Sequence, residues 1–256
     1  MRRKPGRKMD VKRFAPAIPG LFTFGNLICG LFAILHAMGP KPLSAVWFII
    51  LGAFLDAMDG KVARIAKADS SIGIELDSLA DFTTFGIAPV ALMHAVGLFS
   101  LRDWRLAVGI LYTVAGSYRL ARFNLSAQCS REDYFCGLPI PAAAVAIASS
   151  LVFINDVWPP IEGRGVLGGI ALLAWLMISQ VKYPKKISIA KISRTLKILL
   201  IIPILILILG LILYPSYLIY PMVMIYIVYG FVKEIIAVLS GRYGEDDVDI
   251  QSEDNG

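Results

Sequence analysis

Residues 56–81 read DAMDGKVARIAKADSSIGIELDSLAD, a stretch that places acidic residues at helical spacing between two long apolar runs. Asp56 and Asp59 are three residues apart, and Asp77 and Asp81 are four apart. Each pair therefore shares one face of a helix. A carboxylate inside a membrane span is costly unless it is paired, bound to a metal or set in a wet cavity. The stretch thus indicates two helices that bring four carboxylates together.

The composition of the whole chain is typical of a membrane protein. Of its 256 residues, 57% are hydrophobic and 17% are charged, and the mean hydropathy is +0.69. Soluble domains are about 45–50% apolar and roughly 25% charged. A soluble enzyme, a disordered chain and a disulfide scaffold are therefore excluded. The pI near 9.2 does not indicate a nucleic-acid partner, because the basic residues lie between apolar runs.

Runs of about 17–25 apolar residues are long enough to cross the hydrocarbon core of a bilayer. On this criterion the sequence predicts an all-α integral membrane protein with about eight transmembrane helices. Turn signals rich in proline and glycine separate several of the runs. The predicted helices span residues 17–38, 42–66, 74–100, 103–122, 139–156, 164–181, 197–213 and 217–239.

Charged segments flank the apolar regions 17–181 and 197–239. Residues 1–16 and 182–196 are basic and are expected to form a juxtamembrane segment and a cytoplasmic loop. Residues 240–256 are acidic and are expected to form a disordered tail. Of the Lys and Arg residues, 21 fall on one side of the predicted membrane and four on the other. This asymmetry predicts that both termini are cytoplasmic. The chain is expected to lie in the cell's inner, cytoplasmic membrane.

The four acids are expected to form a metal site. The connection 67–73 is short, so the two helices run antiparallel and the acid pairs meet near their cytoplasmic ends. Carboxylates without His or Cys favour a hard cation such as Mg²⁺ or Mn²⁺, and four of them balance two divalent ions. Ion pairing with Lys61 and Arg64 is the alternative, but two bases cannot neutralise four acids. Gly60 and Ala63 leave room for a ligand beside the backbone, and Arg64 offers a planar cation to a phosphate.

The spacing Asp56-x2-Asp59-Gly60-x2-Ala63-Arg64-x8-Gly73-x3-Asp77-x3-Asp81 resembles the signature of the CDP-alcohol phosphatidyltransferase family at all eight fixed positions. The resemblance covers about residues 17–180. Further stretches are similar to the membrane-spanning, phosphatidylserine-forming branch of that family: TFGNLICG at 23–30, DSLAD and FGIAP within 77–89, and RLARFN and YFCGLPIP within 119–141.

The resemblance implies a six-helix catalytic core, to which the last two helices are added. It implies that CDP-diacylglycerol is the donor and L-serine the acceptor, giving phosphatidylserine and CMP. The four acids would be metal ligands, and Asp81 would also take the proton from the serine hydroxyl. A homodimer is expected on the same ground. The residues expected to contact the donor are Asn26, Gly60, Ala63, Arg64, Ser70 and Gly73.

The acceptor site is expected at the cytoplasmic end of the fourth helix, where Arg119 and Arg122 can hold the serine carboxylate. The alternative is that both arginines are positive-inside anchors. Two other functions also stay open. One is the same chemistry with glycerol 3-phosphate or inositol phosphate as acceptor. The other is a cation transporter with an intramembrane acid cluster, which does not account for Gly60 and Arg64.

Overall fold

The structure is a computed structural model that describes residues 17–66, 71–125, 134–157, 163–184, 209–211 and 213–239. A short 3₁₀ turn, Pro42–Ser44, precedes the second helix, and a π-helical segment, Phe82–Ile87, joins the third to the fourth. The helices are α1 (Ala17–Ala37), α2 (Ala45–Ala66), α3 (Ser71–Asp81), α4 (Ala88–Ala95), α5 (Leu106–Leu125), α6 (Ile140–Val157), α7 (Gly163–Ile178) and α8 (Pro215–Leu239).

Five segments among the described residues are long and apolar enough to cross a membrane, and α7 is a shorter apolar helix. They are α1, α2 with its preceding turn, the continuous run from α3 to α4, α6 and α8. The prediction of an all-α, multi-pass membrane protein is confirmed. The predicted seventh span, 197–213, lies mostly outside the described residues, and the division into a six-helix core and two added helices stays a prediction.

The third predicted helix differs from the structure at both ends. It begins at Ser71 rather than at residue 74, so Gly73 lies in the first turn of α3 and not in the turn before it. The helix ends at Ala95, and α5 does not begin until Leu106. Asp103 occupies the turn between them and accepts hydrogen bonds from the backbone and guanidinium of Arg105. These bonds hold the pKa of Asp103 below its usual value.

Thr84 determines how closely the first three spans approach one another. It is fully buried in the π segment, and its hydroxyl donates a 2.8 Å hydrogen bond to the backbone carbonyl of Asn26 in α1. A Cβ atom added at Gly30 would collide with the Thr84 hydroxyl, and one added at Gly52 would lie 2.6 Å from its methyl carbon. Glycine at these two positions therefore lets α1 and α2 close on the π segment.

The protein also contains a two-stranded antiparallel ribbon that the sequence did not predict. β1 (Tyr134–Cys136) pairs with β2 (Lys182–Pro184), and each strand has three residues. Strands this short leave no period that a sequence pattern can reveal. The ribbon joins the segment after α5 to the segment after α7.

Gly137 and Arg122 form hydrogen bonds that hold the end of α7 beside this ribbon. Gly137 has a φ of +77° and donates from its backbone N–H to the carbonyl of Val181 at 2.8 Å. The guanidinium of Arg122 donates to the carbonyls of Ile178, Ser179 and Met177 at 2.8, 3.2 and 3.3 Å. Arg122 thus satisfies carbonyls at the end of α7 that have no partner within the helix.

Replacing Gly137 should destabilise the fold. In Gly137→Ala the new Cβ would lie 2.6 Å from the Met177 carbonyl oxygen and 2.7 Å from Nη2 of Arg122. The backbone would also keep a φ that L-residues rarely adopt, which costs about 1–3 kcal/mol. We expect the midpoint of thermal unfolding in detergent to fall by several degrees.

The matched control is Gly165→Ala, because a Cβ added at Gly165 in α7 meets nothing within 4 Å in the described part of the chain. Alanine is favoured over glycine inside a helix, so this variant should unfold at or slightly above the wild-type temperature. Equal midpoints for the two variants would contradict the role assigned to Gly137.

Candidate functional site

Three carboxylates meet between the second half of α2 and the second half of α3. Asp56 on α2 and Asp77 and Asp81 on α3 each place one oxygen within 4.8 Å of the other two. The short connection between the two helices brings these positions together, as the spacing in the sequence suggested. Asp81 is buried, whereas Asp56 and Asp77 are partly exposed. Oδ1 of Asp77 is buried and has no hydrogen-bond partner among the described residues.

Asn26 connects α1 to this cluster. It is fully buried, and its Nδ2 donates a 2.9 Å hydrogen bond to Oδ1 of Asp81. The Thr84 hydroxyl holds the backbone of the same residue, so the position of Asn26 is fixed from two directions. The structure therefore places Asn26 against an acid of the cluster. Its predicted contact with the donor remains a prediction.

Asp59 lies beside the three-acid group but is not a member of it. The side chain is buried and accepts a hydrogen bond from the hydroxyl of Thr23 in α1. It is close enough to Asp56 and Asp77 for their charges to repel. Oδ1 of Asp59 is buried without a hydrogen-bond partner in the described part of the chain. The expectation that Asp59 ligates a metal stays a prediction.

The donor set fits a hard divalent cation. Within the described residues only carboxylate oxygens converge, Oδ1 of Asp59 and of Asp77 are buried without hydrogen-bond partners, and the oxygens of the cluster lie within 4.8 Å of one another. Such a group is costly inside a protein unless positive charge compensates it or protons neutralise it. Oxygen ligands of this kind suit Mg²⁺ or Mn²⁺. Asp56, Asp77 and Asp81 are the residues that would hold the ion.

Arg119 on α5 is a buried base that faces the cluster. Only 7% of its surface is exposed, and its charge interacts with those of Asp81 and Asp56. Its Cζ lies 5.6 Å from the centre of the Phe123 ring. Nε is buried and has no hydrogen-bond partner among the described residues. The guanidinium therefore keeps a donor available for a ligand.

The structure describes the other residues predicted to contact CDP-diacylglycerol less fully. Among the described residues, a Cβ added at Gly60 would meet nothing within 4 Å, which is compatible with the space expected beside α2. Gly73 is partly buried in the first turn of α3. Ala63 and Arg64 belong to α2, but their side chains lie outside the described part of the structure, and Ser70 lies outside it altogether. The ion pairs considered for Lys61 and Arg64 also involve side chains outside the described part of the structure.

Two neighbouring tyrosines were not predicted from the sequence. The ring centre of Tyr226 on α8 lies 5.8 Å from that of Tyr183 in β2. Tyr183 lies outside the membrane-spanning helices, and burial raises its pKa to about 12. Its hydroxyl therefore stays protonated near neutral pH and can donate a hydrogen bond. Nothing in the sequence marks either tyrosine as a residue of the site.

The family to which this site belongs is established by comparison of sequences. The profile of the CDP-alcohol phosphatidyltransferase family matches residues 16–182, which is more than half of the chain. The chain therefore belongs to that family. This membership accounts for the glycines and the fixed spacing around the acids, which a cation transporter does not explain.

Curated relatives define the family branch more closely. A protein of Helicobacter pylori strain J99, named CDP-diacylglycerol–serine O-phosphatidyltransferase, is 36% identical over 186 residues, covering 72% of this chain and 77% of that protein. One of the same name from Bacillus subtilis strain 168 is 40% identical over 167 residues, covering 65% and 89%. An archaetidylserine synthase of Methanothermobacter thermautotrophicus is 31% identical over 171 residues, covering 66% and 70%.

Removing one carboxylate of the cluster should weaken metal binding without unfolding the protein. In Asp56→Asn the affinity for Mn²⁺ should fall by about tenfold or more, since even outer-shell partners of metal ligands typically contribute 10–100-fold. The substitution also removes repulsion from Asp77, so the unfolding temperature without metal should not fall. Titration of Mn²⁺ followed by electron paramagnetic resonance measures the affinity.

Asp156→Asn is the matched control, because Asp156 is exposed at the end of α6, on a helix that contributes none of the three acids. It should bind Mn²⁺ like the wild type. The metal assignment is wrong if Asp56→Asn also binds Mn²⁺ with wild-type affinity.

Proposed function

We propose that this protein transfers the phosphatidyl group of CDP-diacylglycerol to the hydroxyl of L-serine, giving phosphatidylserine and CMP. The observation that carries the proposal is the convergence of Asp56, Asp77 and Asp81 within 4.8 Å, with Arg119 buried beside them. The acids suit the metal-assisted handling of a diphosphate, and the arginine suits an acceptor with a carboxylate. The names of the relatives support the same donor and acceptor.

A divalent ion held by the acids would neutralise the diphosphate of the donor and stabilise charge that develops on its oxygens. The residues of the chain position the reacting groups and transfer the proton. Asn26 orients Asp81 through its hydrogen bond, and Arg119 limits the net negative charge of the cavity. We infer that Gly60, Ala63, Arg64, Ser70 and Gly73 contact the CDP moiety, as the family signature implies.

Asp81 is the proposed general base. It accepts the proton of the serine hydroxyl as the serine oxygen bonds to the phosphorus of the phosphatidyl group. The bond from that phosphorus to the bridging oxygen of CMP breaks, and CMP leaves with the electron pair. Asp81 is the most deeply buried of the three clustered acids, and Asn26 fixes one of its oxygens. A carboxylate held in this way is preorganised for proton transfer.

Arg119 and Arg122 were both candidates for binding the serine carboxylate, but their contacts in the structure differ. The guanidinium of Arg122 donates to carbonyls at the end of α7, whereas Nε of Arg119 has no partner among the described residues. We therefore propose Arg119 as the residue that binds the serine carboxylate. Arg122 is better suited to a structural role.

The proposed reaction takes place at the cytoplasmic surface of the inner membrane. Asp56 lies in the second half of α2, and Asp77 and Asp81 lie in the first half of the continuous run from α3 to α4. These are the halves that adjoin the basic residues 61–67, and positive residues favour the cytoplasmic side. Arg119 lies in the last two turns of α5, at the same end. We also propose a homodimer, as the family resemblance implies. The basic segments 1–16 and 182–196 would lie on the inner leaflet, and 240–256 would be a cytoplasmic tail.

The proposed function is tested with the purified full-length chain in mixed micelles. CMP release is measured with CDP-diacylglycerol and Mn²⁺, and the acceptors are L-serine, glycerol 3-phosphate and inositol phosphate. We expect release that depends on L-serine and stops after chelation of the metal. Release that requires one of the phosphate-bearing acceptors, or full activity after exhaustive chelation, would overturn the proposal.

Asp81→Asn should lower kcat by about 10²–10⁴-fold at saturating Mn²⁺, because a base acts in the transition state. Binding of CDP-diacylglycerol, measured directly on the same sample, should change far less. Asp156→Asn again serves as the control and should keep normal turnover. If saturating metal restores turnover to Asp81→Asn, Asp81 is a ligand only and the base lies elsewhere.

Arg119→Ala should raise the KM for serine by about tenfold or more and leave the KM for CDP-diacylglycerol nearly unchanged. Hydrogen bonds to charged groups contribute about 1.5–3 kcal/mol, and every 1.4 kcal/mol is a factor of ten. Arg122→Ala should instead lower the unfolding temperature, because it removes the bonds to the end of α7. Equal effects of Arg119→Ala on both substrates would show that this arginine holds phosphate.

A further inference from the structure

Two buried hydrogen bonds in series connect Asp81 to the π segment. Nδ2 of Asn26 donates to Oδ1 of Asp81 at 2.9 Å, and the hydroxyl of Thr84 donates to the backbone carbonyl of Asn26 at 2.8 Å. Asn26 and Thr84 are fully buried, and Asp81 is buried as well. Hydrogen bonds in such surroundings are electrostatically stronger than in water. The two bonds can therefore fix the direction of the Asp81 carboxylate.

The amide group of Asn26 is confined on its other side by α2. A Cβ added at Gly52 would lie 3.0 Å from Oδ1 of Asn26 and 2.6 Å from the methyl carbon of Thr84. Oδ1 is buried and has no hydrogen-bond partner among the described residues. The amide is therefore oriented by the bond from Nδ2 and by packing. Because two rotatable bonds separate the backbone of Asn26 from its amide, a shift of that backbone would turn Nδ2 away from Asp81.

Asp81 and Thr84 hold Asn26 from one continuous helical run. Asp81 is the last residue of α3, and Thr84 follows three residues later in the π segment Phe82–Ile87. The segment itself is secured by Tyr112, which is fully buried and donates to the carbonyl of Phe85 at 2.7 Å. One end of the pair thus contacts the Asn26 side chain and the other its backbone. This arrangement keeps the amide and the carboxylate in register.

We propose that Thr84 is a positioning residue of the active site, because its hydrogen bond to the Asn26 backbone sets the direction in which the Asn26 amide holds Asp81. The inference rests on the proposed function, in which Asp81 takes the proton of the acceptor hydroxyl. Thr84 acts through Asn26 and takes no part in the chemical step. Its hydroxyl thus has a role in turnover that is separate from the packing of its methyl group against Gly52.

The test compares Thr84→Val with Thr84→Ser in the full-length protein at saturating Mn²⁺ and CDP-diacylglycerol. Thr84→Val removes the hydroxyl and keeps a branched side chain, whereas Thr84→Ser keeps the hydroxyl and loses the methyl group. The Asn26 carbonyl retains its bond within α1 in both variants, so the fold should be retained. We expect kcat to fall about three- to tenfold in Thr84→Val, as for the loss of one hydrogen bond, and to stay within about twofold of wild type in Thr84→Ser. The KM for L-serine should change little in either variant.

Thr83→Val is the matched control in the same segment. The hydroxyl of Thr83 donates to the carbonyl of Leu79 in its own helical run at 2.8 Å, and the residue is partly exposed. This variant should match wild type in kcat. Two results would overturn the inference. One is a loss of kcat in Thr84→Ser as large as that in Thr84→Val, since packing alone would then explain both. The other is an equal loss in Thr83→Val.

A double-mutant cycle with Asn26→Ala separates positioning from a general effect on packing. Asn26→Ala removes the amide that holds Asp81 and should lower kcat by about 10–100-fold, as is typical for residues that orient a metal ligand. Adding Thr84→Val to it should lower kcat no further, because no amide is left to orient. Sites that act independently have additive effects. The full loss of kcat on adding Thr84→Val to Asn26→Ala would therefore overturn the inference.

The affinity for Mn²⁺ gives a measurement that does not depend on turnover. Asp81 is one of the acids that would hold the ion, so Thr84→Val should bind Mn²⁺ about threefold more weakly, as followed by electron paramagnetic resonance, and Thr84→Ser should bind it like wild type. Wild-type release of CMP only with a phosphate-bearing alcohol would overturn L-serine as the acceptor, and kcat would then be compared with that alcohol. Serine-dependent release by wild type, with Thr84→Val unchanged in kcat and in Mn²⁺ affinity, would overturn the role of Thr84 alone.

Discussion

The constraint on which this structure depends is the cost of holding carboxylates together inside a membrane protein. Asp56, Asp77 and Asp81 lie within apolar spans and repel one another at short range. Such a group needs donors and positive charge from several directions. The chain supplies Asn26 from α1 and Arg119 from α5, and the acids suit a divalent cation for the rest. The negative charge that the chain itself leaves uncompensated makes the cluster costly. The same charge enables the cluster to bind a divalent cation together with the diphosphate that the cation accompanies.

Close packing of the helices is what places these compensating groups. Thr84 fits between Gly30 and Gly52, so α1 and α2 approach the π segment that follows Asp81. Tyr112 of α5 donates to the carbonyl of Phe85 in that segment at 2.7 Å. Three helices are therefore tied to the turn beside the acid cluster. Irregular π turns of this kind are common at functional sites, and here the turn also serves as the packing centre of the spans.

The sequence predicted those parts of the structure that depend on local spacing or on apolar length. Five of the eight predicted spans, and the meeting of Asp56 with Asp77 and Asp81, belong to this class. The role of Arg122 was not foreseen, because its partners are backbone carbonyls 55–57 residues away. Tyr226 gave no signal either, since a tyrosine in an apolar helix does not reveal which face packs on the protein. Contacts between segments far apart in the chain follow from packing and leave no period in the sequence.

The depth of the acid cluster has a consequence for how substrate reaches it. Asp56 lies four residues before Gly60, where one span ends, and Asp77 lies five residues after Ile72, where the next begins. At about 1.5 Å per helical residue, Asp56 and Asp77 are roughly 6–8 Å inside the span ends, and Asp81, nine residues after Ile72, is about 14 Å inside. A lipid donor can thus enter laterally with its acyl chains still among other lipids, and the product leaves by the same route. Encounter takes place in two dimensions, so turnover follows the mole fraction of donor in the surrounding lipid rather than its amount per litre.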